Sequence, residues 1–281
     1  MIVLICLGVF LVFGIASCTL TRVYLKENGD FNFDFGDSTI TDEAKVSLED
    51  VDTIIISTVD ADISFTASDE LLTSELYIFG NYRAQQIELE SYVDGTTAYV
   101  KVVYPSSSMY VLRSSLTVGL PDAYSGQVII KTTSGNITAD LPNTLSTFDV
   151  STVSGDIALS VVKASDIAVA SQSGFIKLNA EVNRTLYTDT KSGNQHLDLL
   201  VNSDTQVTLE TISGNIDASY SAPCTTDIKT TSGNIDIFLP KDSVIQLDYS
   251  AIDGEYSGSI ITGSEGPLYK ISSISGDLSF E

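Results

Sequence analysis

Hydrophobic and polar side chains alternate with a period of two along most of the chain after residue 45. In the second half, β-branched residues recur on one side of this alternation, as in the run Val-Ile-Ile-Lys-Thr-Thr at 128–133. The period is typical of β-strands that direct every second side chain into a core. No stretch has the period of about 3.6 residues that an amphipathic helix requires. The pattern therefore predicts an all-β fold for this part of the chain.

A repeated phrase, Thr-x-Ser-Gly-Asn/Asp-Ile, interrupts the alternation at steps of about 20 residues. Gly with Asn or Asp favours a tight turn, because these residues tolerate positive φ. Each repeat is expected to form strand, turn, strand and turn, and stacked repeats bury the apolar side that one repeat cannot bury alone. The sequence therefore predicts a β-solenoid, or β-helix, with stacked turns. The glycines predicted to form the turn ladder are Gly135, Gly155, Gly174, Gly193, Gly214, Gly233, Gly258 and Gly276.

Three places depart from the repeated phrase and are expected to be irregular coils. Phe175 stands where Asn or Asp is usual, Gln195 stands where Ile is usual, and the pattern is broken around Asp253-Gly254. The turn amides are expected to stack as a ladder that bonds along the axis of the solenoid. These amides belong to Asn136, Asn194, Asn215 and Asn234.

The chain divides into four segments by these patterns. Residues 116–281 carry the regular solenoid, and residues 46–115 contain strands without the Ser-Gly period, which predicts an irregular cap with the first coils. Asp94-Gly95 within the cap predicts a hairpin. Residues 22–45 are polar and irregular and predict a spacer, in which alternating phenylalanines at 31, 33 and 35 indicate one strand.

Residues 1–20 contain no charged side chain. A helix of that length spans about 30 Å, the thickness of a bilayer core, so the sequence predicts a transmembrane anchor at 1–21. The alternative is a lipoprotein signal, because Ile15-Ala16-Ser17-Cys18 resembles a lipobox and would place lipid on Cys18. No basic residue precedes the apolar run, which favours an uncleaved anchor. Either interpretation places the β domain outside the cytoplasm.

The composition is strongly acidic, with 37 acidic against 14 basic side chains and a formal net charge of −23. Nucleic acid is therefore not an expected partner, because its phosphates require a basic surface. No cofactor is expected. Binding of Ca²⁺ at the surface is a weaker alternative, since the known calcium repeat has paired glycines at a shorter period.

Candidate catalytic groups are sparse, and the sequence predicts a protein that is not an enzyme. His196 is the single histidine, and no serine lies in a Gly-x-Ser-x-Gly elbow. Cys224 is expected to be a buried small residue. The alternative is an enzyme that acts on polysaccharides, which would need two carboxylates beside the glycosidic bond. A third possibility is an accessory subunit of a system that senses envelope stress.

The run Leu-Thr-Val-x-Leu-Pro at 116–121, followed by Val-Ile-Ile-Lys-Thr-Thr-Ser-Gly-Asn-Ile at 128–137 and the later repeats, resembles the DUF4097 family. The resemblance covers about residues 50–281, and members are often labelled "putative adhesins". It implies a β-helical domain of a bacterial envelope protein, membrane-anchored or secreted. The expected location is the bacterial cell membrane, with a single span. The expected function is adhesion or scaffolding, through binding of an envelope glycan or a membrane protein without catalysis.

Overall fold

The structure is a computed structural model that describes residues 22–25, 31–34, 38–80, 87–104, 111–258 and 260–281. The predicted anchor at 1–21 and the lipidation of Cys18 lie outside the described residues. Within the described ranges, no helix has the length and apolar character needed to cross a membrane.

The described residues form strands and turns and contain no helix, which confirms the predicted all-β class. The regular part is a β-solenoid of about seven turns. The strands in chain order are β1 (Arg22–Leu25), β2 (Phe31–Asp34), β3 (Ser38–Ser47), β4 (Thr53–Ser57), β5 (Asp62–Ser68), β6 (Leu71–Gly80), β7 (Glu88–Asp94), β8 (Thr97–Val103), β9 (Val111–Pro121), β10 (Gln127–Lys131), β11 (Ile137–Asp140), β12 (Thr144–Thr152), β13 (Ile157–Ser171), β14 (Ile176–Ser192), β15 (Gln195–Leu200), β16 (Gln206–Ser213), β17 (Ile216–Tyr220), β18 (Thr225–Ser232), β19 (Ile235–Phe238), β20 (Val244–Asp253), β21 (Tyr256–Gly258), β22 (Ile261–Thr262), β23 (Leu268–Ser275) and β24 (Leu278–Phe280).

Two sheets of parallel strands form the walls of the solenoid, and one strand of each makes a rung. Sheet A has the order β8, β4, β10, β12, second half of β13, second half of β14, β16, β18, β23, β20. Sheet B has the order β9, β5, β11, first half of β13, first half of β14, β15, β17, β19, β24, β21. Inward side chains of both sheets form one continuous apolar core, as at Ile130 and Ile137, which are fully buried.

At one end of the solenoid, the outermost rung is formed by strands that come later in the sequence than those of the rung next to it. The pair β4 and β5 lies inside, between the later pair β8 and β9 and the regular rungs. Antiparallel strands then close this end: β7 pairs with β8, β6 pairs with β9, and β3 pairs with β6. The β7–β8 connection confirms the hairpin predicted at Asp94-Gly95. Because β3 begins at Ser38, the closing strands include part of the segment assigned to the spacer.

The other end of the solenoid repeats this exchange of order. The last coil in sequence, β23 and β24, is inserted between β18–β19 and the earlier coil β20–β21. Its inward Tyr269, Ile271 and Phe280 are almost fully buried, whereas Tyr256 of the outer coil is 43% exposed. The more apolar coil thus takes the position that is covered on both sides.

Some interior threonines lie next to the turns and accept hydrogen bonds from the turn backbone. Thr132 Oγ1 accepts the backbone N–H of Gly135 at 3.2 Å, and Thr152 does the same for Gly155 at 3.1 Å. Cys224 is fully buried and free, as predicted, and its burial raises the pKa of the thiol to about 11.

Candidate binding surface

In the regular rungs, the turn between the two strands is packed too closely for a side chain on its central glycine. A Cβ on Gly155, Gly193 or Gly214 would lie 2.1 Å from the carbonyl oxygen of the neighbouring rung's glycine. Four other predicted positions, Gly135, Gly174, Gly233 and Gly276, lie in this same column. The corner is therefore a ladder of closely packed glycines.

The structure places Gly254, and not Gly258, in this column. A Cβ on Gly254 would lie 2.1 Å from the oxygen of Gly276, whereas Gly258 lies opposite Phe280. The spatial order is Gly233, Gly276, Gly254, because the last coil is inserted between its predecessors. The phrase Ser257-Gly258 imitates the repeat but stands on the strand that follows the turn.

The polar residues after the ladder glycines do not bond amide to amide. Instead, the side-chain Oδ1 of one rung accepts the backbone N–H of the next rung. Asn194 thus accepts from Asn215 at 2.9 Å, and Asn215 accepts from Asn234 at 2.9 Å. Asp156 accepts from Phe175 at 2.8 Å. Only an acceptor oxygen is needed, which explains why both Asn and Asp occur at this position.

This arrangement also gives acidic residues at the turns a structural role. Asp62, Asp156 and Asp277 each use Oδ1 to accept a backbone N–H of the adjacent rung. Among the described side chains, no group of three or more His, Cys, Asp and Glu could hold a metal ion.

The outward face of sheet A carries a network of charged and aromatic side chains. Lys229 Nζ lies 2.9 Å from Glu210 Oε1 and 3.6 Å from Asp227 Oδ2. The hydroxyl of Tyr187 donates to Glu210 Oε2 at 3.2 Å, and its ring is 40% exposed. The parallel register sets these side chains on successive rungs, about 4.8 Å apart. Exposed pairs of this kind add little stability, so the network mainly shapes the surface.

A hollow lies beside this network, at the edge of sheet A. Its volume is about 380 Å³. Ala170 has no larger side chain to fill the space between Ser151 on one neighbouring rung and Asp189 on the other. The complete lining is Thr132, Ser151, Thr152, Val153, Ala170, Ser171, Gln172, Asp189 and Lys191. The hollow thus offers a hydroxyl, an amide, a cation and an anion around a small apolar floor.

Two carboxyl groups near the hollow hold their protons more tightly than usual. Burial raises the pKa of Asp189, and the nearby charge of Glu210 raises it further. Burial also raises the pKa of Asp149, against the opposing effect of Lys131. Asp149 and Tyr187 flank Ala168, which is the second outward alanine of the same rung.

The outward face of sheet B carries the single histidine. His196 Nδ1 lies 3.0 Å from Asp217 Oδ2, on the next rung, and Nε2 lies 3.8 Å from Asp198 Oδ2. The ring is partly exposed on an open strand face, and within the described residues no serine or cysteine side chain forms a hydrogen bond with it. The arrangement orients the imidazole without presenting a nucleophile to it.

The hollow was not predicted from the sequence. The signal that the sequence offers is a pair of outward-facing alanines, Ala168 and Ala170, between larger polar or aromatic side chains on the two neighbouring rungs. Their effect depends on which residues become neighbours across the rungs, and those residues are about 20 positions away along the chain.

The structure is a parallel β-solenoid whose two sheets each present an outward face with polar side chains. It therefore belongs to the class of repeat proteins that display an extended surface. The chain belongs to the family described as Toastrack DUF4097, whose model matches residues 41–281. This confirms the resemblance inferred from the repeats.

The chain is similar to solved structures, and a TM-score above 0.5 shows a shared fold for one of them. A "putative adhesin" from Bacteroides fragilis is 16% identical with a TM-score of 0.56, over 87% of this chain and 97% of that one. A "putative adhesin" from Parabacteroides distasonis is 14% identical with a TM-score of 0.49, over 85% of this chain and 97% of that one. No curated protein matches the chain.

Proposed function

We propose that this protein is a membrane-anchored adhesin or scaffold of the bacterial envelope, which binds a glycan or protein partner outside the cytoplasm without catalysis. The observation that supports binding at sheet A is the hollow over Ala170, with polar groups on two sides of a small apolar floor. Binding sites commonly combine a concave apolar surface with a few converging polar groups. The family and the words "putative adhesin" for its structural relatives agree with this role.

A glycan is the ligand class that the hollow fits best. Asp189, Lys191 and Gln172 offer charged and amide groups for sugar hydroxyls, and Ala170 leaves room for a ring. The exposed ring of Tyr187, one column away, offers an apolar platform for the C–H side of a sugar. The rungs repeat along the axis, so a chain of sugars can lie across several of them.

The test uses the full-length chain in detergent, incubated with isolated envelope glycans and sedimented with them. The variant Ala170→Arg fills the hollow, and Ala158→Arg places the same side chain on the outward face of sheet B. We expect Ala170→Arg to lose retention by about tenfold, which corresponds to about 1.4 kcal/mol. We expect Ala158→Arg to bind like the unmodified chain. Equal retention by both variants would exclude the hollow as the binding site.

The raised pKa values of Asp149 and Asp189 favour one second candidate, an enzyme that cleaves a polysaccharide. Glycoside hydrolysis needs a carboxylic acid that keeps its proton and a second carboxylate. The same incubations therefore include an assay for new reducing or unsaturated ends. Release of such ends, lost in Asp189→Asn, would establish the enzyme and overturn the proposal of binding without catalysis.

A further inference from the structure

The two ends of the solenoid differ in how their outermost strands are covered. At the first end, β3, β6 and β7 close the rungs, and Leu72, Leu76 and Ile78 of β6 are almost fully buried. At the other end, β20 pairs with β23 on its inner side, and among the described strands only β22 lies beyond it. That strand covers only Val244 and Ile245. The stretch from Gln246 to Asp253 therefore presents a free edge.

The free edge also exposes the end of the apolar interior. The register places Leu247, Tyr249 and Ala251 in the inward columns that contain Tyr269, Ile271 and Ser273 one rung earlier. An aromatic series extends to this end: the ring centroids of Tyr269 and Phe280 are 6.1 Å apart, those of Phe280 and Tyr256 are 6.2 Å, and those of Tyr256 and Tyr249 are 6.1 Å. In a solenoid, such a terminal surface is a site of strand pairing unless something covers it.

The backbone groups of β20 that face outward can be identified from two hydrogen bonds. Gln246 N–H donates to the Pro267 carbonyl at 3.0 Å, on the side of β23, whereas the Ile245 carbonyl accepts from Gly263 N–H at 3.0 Å, on the opposite side. Successive residues of a strand direct these groups to alternate sides. The N–H and C=O groups of Leu247, Tyr249 and Ala251 therefore point to the free edge, and their side chains are the inward ones.

We propose that this end docks with the same end of a second copy of the chain, through antiparallel pairing of β20 with β20 about a two-fold axis at Tyr249. In this register Tyr249 faces Tyr249 of the second copy, and Leu247 faces Ala251, so all outward-directed backbone groups form hydrogen bonds. Apolar side chains then meet apolar ones on the inner side. The paired segment, 246–252, lies within the stretch of β20 that β22 leaves free.

Charge also selects this register for a second copy. Asp248, on the outer side, faces the neutral Ser250 of the other copy, and the adjacent rung places Lys270 beside Asp248. The two Asp248 side chains lie on a diagonal at about 7–8 Å. The closed first end excludes growth into a head-to-tail filament, so the product is a closed dimer.

The test is disulfide cross-linking of the purified full-length chain in detergent, with Cys6 and Cys18 replaced by serine. Tyr249→Cys places two Cα atoms about 5.5 Å apart across the axis, within disulfide range. Tyr77→Cys, an equivalent change on β6 at the closed end, is the control. We expect a cross-linked dimer for Tyr249→Cys and none above background for Tyr77→Cys.

Two further changes in the Tyr249→Cys chain test the register. Ala251→Lys inserts a charge against Leu247 of the other copy and should lower cross-linking by at least about tenfold. Ser250→Lys places a cation opposite Asp248 and should raise it, most strongly at low salt. Cross-linking that is equal at positions 249 and 77, or that is unaffected by Ala251→Lys, would overturn the proposal.

Discussion

The hydroxyl of Thr188 donates a hydrogen bond to the side-chain carbonyl of Gln195 in the interior of the solenoid. Both residues stand at positions that are apolar on neighbouring rungs: Thr188 lies between Val169 and Leu209, and Gln195 lies beside Ile216. The Gln195 amide also donates to the Glu210 carbonyl at 2.7 Å. Gln195, at a position where Ile is usual, is therefore paired across the core with a second polar residue, Thr188.

Substitutions at Thr188 and Gln195 should have strongly coupled effects on the free energy of unfolding. Thr188→Val or Gln195→Ile alone leaves a buried polar group without its partner, and each should lower the free energy of unfolding by about 1–3 kcal/mol. The double variant restores an apolar contact and should be within about 1 kcal/mol of the unmodified chain. A double-mutant cycle from urea unfolding measures the coupling, and strictly additive single effects would contradict it.

The ladder glycines should tolerate no side chain, for steric reasons alone. Gly214→Ala would place Cβ 2.1 Å from the Gly193 carbonyl oxygen, and we expect a loss of about 3 kcal/mol of unfolding free energy. Gly263→Ala is the matched control, because its nearest atom would be 3.4 Å away. That change should alter stability by less than about 0.5 kcal/mol. Similar thermal midpoints for the two variants would show that the rungs can separate.

The polar ladder is interrupted at Phe175, whose side chain has no oxygen to accept the N–H of the next rung. Phe175→Asn should continue the ladder towards Asn194 and raise the free energy of unfolding by about 1 kcal/mol. Phe175→Ala removes the same exposed ring without adding an acceptor, so it separates the two effects. If the alanine variant gains as much stability as the asparagine variant, the ladder bond contributes nothing.

The period of two and the repeated phrase are sufficient to predict the solenoid, because stacked parallel strands require the same inward pattern in every rung. The order of the end coils does not follow from the phrase, since the two last coils carry similar patterns. The coil that carries the large inward side chains of Tyr269 and Phe280 takes the position with a neighbouring rung on both sides, where these side chains are buried. The hollow depends on register in the same way, because Ala170 matters only beside Asp189 and Ser151.

Alkaline pH should lower the stability of the folded protein. Burial raises the pKa of Cys224 to about 11, and burial next to Asp60 raises the pKa of Tyr104 to about 12. In the unfolded chain these groups release their protons near about pH 8.5 and 10, respectively. The unfolded state thus binds fewer protons than the folded state between those values and the folded pKa values, and stability falls as pH rises through that window.

Cys224 allows its share of this effect to be measured separately. A single group contributes at most about 1.4 kcal/mol per pH unit, and for Cys224 the loss should extend from about pH 8.5 to 11. Cys224→Ala lowers stability at neutral pH by removing buried volume, but it should flatten the fall of the urea midpoint across that range. The slope is therefore the decisive quantity, because a constant offset does not change it. An identical slope in the two chains would mean that the thiol ionises as readily in the folded state as in the unfolded state.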